Sequence, residues 1–289
     1  MVYILMNPLA NNHKGEEAAE KAKSLFDAQS LKVVDVRHLT DVPSFIRKLS
    51  TEDKIIIAGG DGTVARFIDS VYDMNLQQKV WLYPCGSGND FIRDIKHDFP
   101  EDTKLYPFED YMKDLPEVIV NGVHKHFING VGFGIDGYCC EQGDIQREQS
   151  LKSINYTGIA VKGLLFKYKL CNAEVTVDGV TKKYKNVILA PTMFGRYYGG
   201  GMMIAPNQDR KNLEKTVTNV VWTGRRHPTL MKFSSVFKGE HLKYKKVLDI
   251  RKGHSVKVVF DKPTALQIDG ETIRDVYSYS VNFHNHDKK

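Results

Sequence analysis

The sequence predicts an α/β domain with a parallel sheet, followed by an antiparallel β domain. Apolar runs alternate with helix-period segments over the first third of the chain, whereas short strand-like runs separated by Gly, Asn and Asp follow after about residue 116. The length of 289 residues also exceeds the usual size of a single domain. We therefore expect two domains with separate cores.

The first third starts with the strand-like run Val2–Met6. The pattern then predicts a helix over 16–29, a strand over 31–36, a helix over 43–49, a strand over 54–58, a helix over 64–72, a strand over 80–83 and a helix that begins near residue 90. Elements in this βαβ order form a parallel sheet covered by helices. Ligands of such sheets bind outside the carboxyl ends of the strands, so we expect Asn7-Pro8, the loop at Gly59 and the loop 84–90 to converge.

Five residues, Gly59-Gly60-Asp61-Gly62-Thr63, join the strand over 54–58 to the following helix. Glycines allow the backbone to approach an anion closely, and the start of a helix favours negative charge, so this loop predicts a phosphate site. The structural alternative is a tight turn in which Thr63 caps the helix. Asp61 favours a nucleotide that carries Mg²⁺, because a carboxylate repels phosphate unless a cation lies between them.

The loop Pro84-Cys85-Gly86-Ser87-Gly88-Asn89-Asp90 repeats this order of strand, small residues and helix start. Ser87 can donate a hydrogen bond to a phosphate, and Asn89 or Asp90 can cap the helix. The sequence contains no Gly-x-x-x-x-Gly-Lys-Ser/Thr loop, no His-Arg-Asp catalytic loop and no Gly-x-Gly-x-x-Gly at the start of the first helix. The P-loop, protein-kinase and Rossmann interpretations are therefore disfavoured.

The second part of the chain predicts strands over 117–120, 126–129, 173–177, 185–190 and 255–260. A helix is expected within 153–170, with an apolar face and lysines elsewhere, which either packs on the sheet or contacts a membrane. Residues 278–283 alternate like a strand and could pair with either domain. The segment Gln267-Ile268-Asp269-Gly270-Glu271 is either a surface hairpin turn or the source of a carboxylate that accepts the proton of a substrate hydroxyl.

The formal net charge of +6 favours an anionic partner, such as a nucleotide, an anionic bilayer or nucleic acid, or simply reflects a solvated basic surface. The four cysteines fit neither a disulfide framework nor a zinc site, so they are expected to be reduced thiols. The sequence shows neither a signal peptide nor an apolar run long enough to span a bilayer. We therefore expect a cytoplasmic protein whose membrane contact is peripheral.

Six sequence blocks, taken together, resemble the diacylglycerol kinase catalytic family, which includes bacterial lipid kinases and the sphingosine and ceramide kinases. The blocks are Asn7-Pro8, the loop 59–63, the stretch 84–91 with Arg93, the stretch 129–136, Gly199-Gly200-Gly201-Met202 leading to Ala205-Pro206, and Asp269-Gly270-Glu271. They occur in order over nearly the whole chain.

The resemblance implies an ATP-dependent kinase that phosphorylates a lipid hydroxyl, most naturally that of diacylglycerol or a related lipid. Residues 1–118 would form the α/β ATP-binding domain, with 276–289 as a candidate completion, and residues 119–275 a β-sandwich lipid domain, with the active site between them. It implies no nucleic-acid partner. The implied ATP contacts are Asn7, Pro8, Thr40, Gly59, Gly60, Asp61, Gly62, Thr63, Gly86, Ser87 and Asn89. Glu271 would be the general base, Asp61 a second catalytic residue and Asp136 a substrate contact, while Mg²⁺ would accompany the ATP phosphates.

Three segments depart from the family pattern. Ala65-Arg66 stands where many bacterial members have Asn-Glu, and Ala10-Asn11 replaces a Ser-Gly. Residues 207–213 lack the Asp-Asp-Gly-Leu pattern that holds a structural Mg²⁺ in some members, so no protein-bound metal is predicted. An NAD kinase-like enzyme and a nucleotide-binding regulatory protein without catalysis are the alternatives, and the sequence leaves the oligomeric state and the particular lipid open.

Overall fold

The computed structural model describes residues 1–8, 14–27, 30–39, 41–86, 88–149 and 154–283. Thr40 and Ser87, two of the predicted ATP contacts, lie outside the described residues. The chain divides into two compact units, Met1–Leu115 and Pro116–Lys289.

The first unit alternates strands and helices, as the sequence pattern predicts. Its elements are β1 (Val2–Met6), α1 (Gly15–Lys23), β2 (Leu31–Asp35), α2 (Val42–Arg47), β3 (Lys54–Gly59), α3 (Asp61–Val71), β4 (Lys79–Pro84), α4 (Asp90–Ile95) and β5 (Tyr106–Pro107), with short 3-10 turns at Val36–His38, Lys96–Asp98 and Glu109–Met112.

The sheet of this unit has the strand order β2-β1-β3-β4-β5. The strands β1, β2, β3 and β4 run parallel, and β5 pairs antiparallel with β4 at the edge. Ile55, Ile56 and Ile57 are all buried, because helices cover both faces of a parallel sheet. The predicted parallel α/β architecture is therefore confirmed.

The second unit is rich in antiparallel strands. Its elements are β6 (Glu117–Val120), β7 (Val123–His126), β8 (Gly130–Phe133), α5 (Ile135–Gln149), α6 (Tyr156–Lys162), a turn of π-helix (Gly163–Lys167), β9 (Cys171–Val177), β10 (Val180–Leu189), β11 (Thr192–Met193), β12 (Val217–Thr223), α7 (Arg226–Phe233), 3-10 turns at Ser234–Lys238 and Glu240–Lys243, β13 (Leu248–Gly253), β14 (Ser255–Ile268) and β15 (Glu271–Asn282).

The long strand β14 links two parts of the ten-stranded sheet, whose order is β7-β6-β15-β14-β8-β11-β12-β10-β9 with β13 on β12. Residues 256–260 of β14 pair with β9, whereas residues 266–268 pair with β8. The strands β8, β11, β12, β10 and β9 follow one another in the sheet, and the first and the last of them both pair with β14. This part of the sheet therefore closes on itself. Phe133 of β8 and Phe260 of β14 stack inside, with ring centroids 4.0 Å apart.

Two-residue turns with positive φ angles close three hairpins of this unit. Asn121-Gly122 joins β6 to β7, Asp178-Gly179 joins β9 to β10, and Asp269-Gly270 joins β14 to β15. Type I′ turns require this conformation at both residues, which explains the Asn-Gly and Asp-Gly pairs. The predicted hairpin at residues 267–271 is therefore confirmed.

Several elements differ from the sequence-based predictions. The helix α5 was not predicted, because its apolar residues are too few to give a clear helical period. The strand expected over 126–129 ends at His126, and the helix expected over 153–170 is divided between α6 and the π-turn. The strand β15 pairs with β14 and β6, so residues 276–282 lie in the sheet of the second unit rather than in that of the first.

Among the described residues, no helix combines the length and the apolar character needed to cross a bilayer.

Candidate functional site

Three loops leave the carboxyl edge of the first sheet side by side. In the strand register Met6 pairs with Ala58, and Gly59 pairs with Pro84, so Asn7, Gly60 and Cys85 follow neighbouring strand ends. This is the edge at which parallel α/β sheets bind ligands. The structure thus brings these three sequence blocks together.

The loop after β3 turns directly into α3, whose N-cap is Gly60. The carbonyl oxygen of Gly60 accepts hydrogen bonds from the backbone N–H groups of Thr63 and Val64, at 3.0 and 3.1 Å. Among the described residues, no side chain caps this helix, and a Cβ added at Gly62 would meet no heavy atom within 4 Å. The first turn of α3 therefore borders open space, and the start of a helix attracts anions.

The second loop lies against the first at two glycines. A Cβ added at Gly86 would lie 2.4 Å from the Cα of Gly60, and one added at Gly60 would lie 2.7 Å from the Cα of Gly86. Asn89, in the left-handed conformation, accepts a hydrogen bond from the Gly86 N–H and donates one to the Gly86 carbonyl. The two glycines are thus required for the close approach of the two loops.

Asp61 connects the two loops through its carboxylate. Its two oxygens accept hydrogen bonds from the backbone N–H groups of Asp90 and Phe91, both at 2.9 Å. These groups belong to the first turn of α4, which Asn89 and Asp90 do not cap with their own side chains. The cap that was expected from Asn89 or Asp90 therefore comes from Asp61, 29 residues earlier in the chain. Its proposed catalytic role remains a prediction.

The turn after β1 is held by the start of α1. The N–H of Gly15 donates to the carbonyl of Pro8, and a Cβ at Gly15 would lie 2.0 Å from the carbonyl oxygen of Asn7. Asn7 and Pro8 therefore occupy a turn whose backbone is closely packed.

Ala65 and Arg66, which depart from the family pattern, are neighbours on α3 that differ in exposure. Ala65 is buried with the apolar face of the helix, whereas Arg66 is exposed. The change at position 65 thus contributes to packing, and the change at position 66 places a cation on the surface of the helix.

In the second unit, the hairpin between β14 and β15 holds two carboxylates in different environments. Asp269 is buried and accepts hydrogen bonds from three consecutive backbone N–H groups, those of Ile128, Asn129 and Gly130, at 2.7 to 3.0 Å. Glu271 is partly exposed, with 28% of its side chain accessible, and forms an ion pair of 2.8 Å with Lys125. Asp269 therefore fixes the backbone that precedes β8, and Glu271 is the more accessible carboxylate.

Arg210 holds the same backbone segment from another side. Its guanidinium donates to the carbonyl of Ile128 at 2.8 Å and to Oδ1 of Asn129 at 3.4 Å, and it lies over the ring of Phe194. Arg210 belongs to the segment 207–213, in which the sequence lacks the acidic metal-binding pattern. Sequence reasoning missed this role, because nothing in the sequence indicates which carbonyl a lone arginine will contact.

The described residues contain no group of three or more His, Cys, Asp or Glu side chains that could ligate a metal ion. The carboxylate of Asp61 is engaged with α4, and that of Asp269 with β8 and the residues before it.

Asp136 lies in the first turn of α5 and is buried in the second unit. Its oxygens accept hydrogen bonds from the hydroxyl of Tyr198 at 3.0 Å and from the N–H of Gly137 at 3.1 Å. Burial raises the pKa of Asp136 to about 6, and the bond from Tyr198 opposes this rise. Asp136 lies beside an apolar cluster that includes Ile135 and Leu164.

Two family models match the chain. The model described as diacylglycerol kinase catalytic domain matches residues 1–110, and the one described as YegS C-terminal NAD kinase beta sandwich-like domain matches residues 129–279, more than half of the chain. Together they cover both structural units.

Individual relatives agree with these matches. A diacylglycerol kinase of Mycobacterium tuberculosis is 24% identical over 265 residues, which cover 86% of this chain and 82% of that protein. The crystal structure of a diacylglycerol kinase from Bacillus anthracis superposes with a TM-score of 0.60 at 16% identity and covers 99% of this chain and 97% of that one. The structural likeness supports the two-unit fold.

Proposed function

Since this chain belongs to the diacylglycerol kinase family, we propose that it transfers the γ-phosphate of ATP to the hydroxyl of a lipid alcohol, diacylglycerol or a related lipid. The observation that carries the proposal is the pair of glycine loops joined at Gly60 and Gly86 on the carboxyl edge of a parallel sheet.

In this proposal the first unit binds ATP. The phosphates lie at the first turn of α3, near Gly60, Gly62 and Thr63, because that turn presents backbone N–H groups beside open space. Asn7, Pro8, Gly59, Gly86 and Asn89 complete the site from the neighbouring loops, with Thr40 and Ser87 as further contacts. Mg²⁺ enters with ATP as part of the substrate, since phosphate oxygens are ligands that it prefers.

Asp61 acts in this site by holding the two loops in register. Its carboxylate joins the first turn of α3 to the first turn of α4, so the phosphate-binding backbone is fixed before ATP arrives. Any further part of Asp61 in the reaction is proposed from the family resemblance.

Glu271 is proposed as the general base. Its carboxylate takes the proton of the lipid hydroxyl as that oxygen forms a bond to the γ-phosphorus, and the bond from phosphorus to the β–γ bridging oxygen breaks to release ADP. Between the two carboxylates of the hairpin, Glu271 is favoured because Asp269 is buried among three N–H donors. Lys125 holds one oxygen of Glu271 and thereby limits its rotamers.

The lipid is proposed to bind the second unit, with Asp136 as a polar contact for a hydroxyl group. The support is chemical: the carboxyl group is a hydrogen-bond acceptor placed beside apolar side chains, as a lipid alcohol requires.

The test is phosphorylation of a total lipid extract by the purified chain, with the product identified by mass spectrometry. Glu271→Gln should lower kcat by about 10²- to 10⁴-fold, the usual contribution of a general base, while the Kd of ATP stays unchanged. Glu174→Gln is the matched control, because Glu174 also forms an ion pair with a lysine, Lys183, at 2.7 Å.

Equal turnover in these two variants would refute the assignment of the base. A parallel assay with NAD⁺ as the acceptor separates lipid kinase from NAD kinase activity. Binding of ATP without release of ADP in the presence of any lipid would contradict the proposal and favour a regulatory protein.

A further inference from the structure

The positive charge of the chain is concentrated in two segments of the second unit. Residues 162–169 and 225–246 together contain ten Lys or Arg and a single acidic residue, Glu240, which gives these segments a formal charge of +9. The rest of the chain contains 31 basic and 34 acidic residues and is therefore at −3. The net charge of +6 thus results from two short segments rather than from an evenly basic surface.

The two segments are adjacent in the fold. The guanidinium of Arg226, at the start of α7, donates to the carbonyls of Leu165 and Tyr168, at 3.1 and 2.7 Å. Lys232, in the last turn of α7, lies over the ring of Tyr244, 4.9 Å from its centroid. We call the surface formed by residues 162–169 and 225–246 the basic face.

Large apolar side chains protrude from the basic face. Phe166 is 74% exposed, Met231 is 85% exposed and Phe237 is 43% exposed. On the inner side of α7, Leu230 and Phe233 pack against the apolar cluster of the unit. Phe166, Met231 and Phe237 therefore lie outside this core.

Most charged side chains of the basic face form no ion pair with a described acidic residue. Lys243 lies 3.5 Å from Glu240. Arg225, Lys245 and Lys246 are exposed and form no ion pair with any described residue. Unpaired cations around protruding apolar side chains match a bilayer that presents negative headgroups above an apolar interior.

A pocket lies at the edge of the basic face. It has a volume of ≈ 530 Å³, and its lining includes Arg225, His227 and Leu170. A cationic side chain beside an apolar one suits the phosphate and upper acyl chain of a lipid.

We propose that the basic face docks the protein on an anionic lipid bilayer, with Phe166 and Met231 inserted among the headgroups and the surrounding lysines and arginines paired with lipid phosphates. The exposed apolar residues favour this partner over nucleic acid, because three protruding apolar side chains gain more in a lipid interface than against a phosphate backbone. The proposal concerns binding alone and stands whether or not the chain phosphorylates a lipid.

The test is co-sedimentation of the full chain, without ATP, with vesicles of phosphatidylcholine alone or with phosphatidylglycerol added to about a third of the lipid. The wild-type chain should bind the anionic vesicles and not the neutral ones, and about 1 M salt should abolish binding as the Debye length falls to about 3 Å. The triple variant R225Q/K245Q/K246Q should bind the anionic vesicles about tenfold or more weakly, because each basic residue near such a surface contributes about 1 kcal/mol.

The charge control is K104Q/K257Q/K262Q, which removes three exposed lysines from other parts of the chain and should bind as the wild type does. The apolar variant F166S/M231S should bind several-fold more weakly, whereas its control V180S/Y277S, at 62% and 55% exposed positions, should not change binding. All four variants alter exposed residues, so thermal melting should match that of the wild type.

Equal binding of the R225Q/K245Q/K246Q variant and its control would refute the proposal, as would equal binding of the wild type to neutral and anionic vesicles. Self-association in sedimentation velocity that the F166S/M231S variant abolishes, with vesicle binding unchanged, would assign the face to a second copy of the chain. Binding of a DNA or RNA oligonucleotide in place of the vesicles would also overturn it.

Discussion

Replacement of Asp136 by Asn is predicted to change how the stability of the protein depends on pH. Asp136 is 7% exposed, and burial raises its pKa from 3.8 to about 6. Asparagine has almost the same size and no charge to desolvate. The Tyr198 hydroxyl that now donates to the carboxylate can also accept a hydrogen bond from an amide.

The raised pKa of Asp136 determines whether the protein gains or loses stability as the pH rises. Well below pH 3.8, Asp136 is protonated in both the folded and the unfolded state, so its ionisation does not affect stability. As the pH rises through about 6, the unfolded chain has already lost the proton while the folded chain still holds it, and the folded state becomes relatively less stable. A shift from 3.8 to about 6 corresponds to about 3 kcal/mol at 1.36 kcal/mol per unit, and about half of this falls between pH 5 and pH 8.

The measurement is urea denaturation of the wild type and of D136N at a series of pH values. The free energy of unfolding of D136N minus that of the wild type should increase by about 1 to 2 kcal/mol between pH 5 and pH 8. D144N, on the same helix α5, controls for the exchange of carboxylate for amide. A difference between D136N and wild type that stays constant over this range would refute the reasoning.

Three further predictions concern the loops and the hairpin. Gly86→Ala should weaken ATP binding in calorimetry by about tenfold or more, because its Cβ would lie 2.4 Å from the Cα of Gly60; unchanged affinity would show that the loop contact is dispensable. Asp61→Ala should lower the free energy of unfolding by about 1 to 3 kcal/mol, since the N–H groups of Asp90 and Phe91 lose their acceptor, and a melting temperature equal to that of the wild type would contradict this. Asp269→Ala should lower it more than Asp61→Ala does, because three buried N–H groups are left unsatisfied; the reverse order would count against the role given to Asp269.

Sequence periodicity predicted the first unit well because its strands are buried and apolar and its loops carry glycine. The run Ile55-Ile56-Ile57 followed by Gly59-Gly60 indicates both a central strand and the point at which it ends. The Asp269-Gly270 turn was likewise predictable, since the type I′ turn admits few residue types. In these places local chemistry alone determines local structure.

The contacts that organise the candidate site could not be predicted in the same way. Asp61 has its partners 29 and 30 residues away, and Asp269 has its partners about 140 residues away. A carboxylate in a glycine loop is compatible with a metal, a substrate or a distant helix, and only the packing of the chain decides among them. The basic face could not be predicted either, because lysine-rich stretches also occur on ordinary solvated surfaces.

The late position of β14 and β15 in the sequence has a consequence for the way the chain is made. The strands β6, β8 and β9 emerge from the ribosome first, yet each pairs with β14 or β15, which are synthesised later. Until residue 282 is available, these early strands have exposed edges on the nascent chain, whereas the first unit has all its strands by Pro107 and can fold first. A stop codon between β9 and β15 is therefore expected to leave a folded first unit attached to an aggregation-prone remainder.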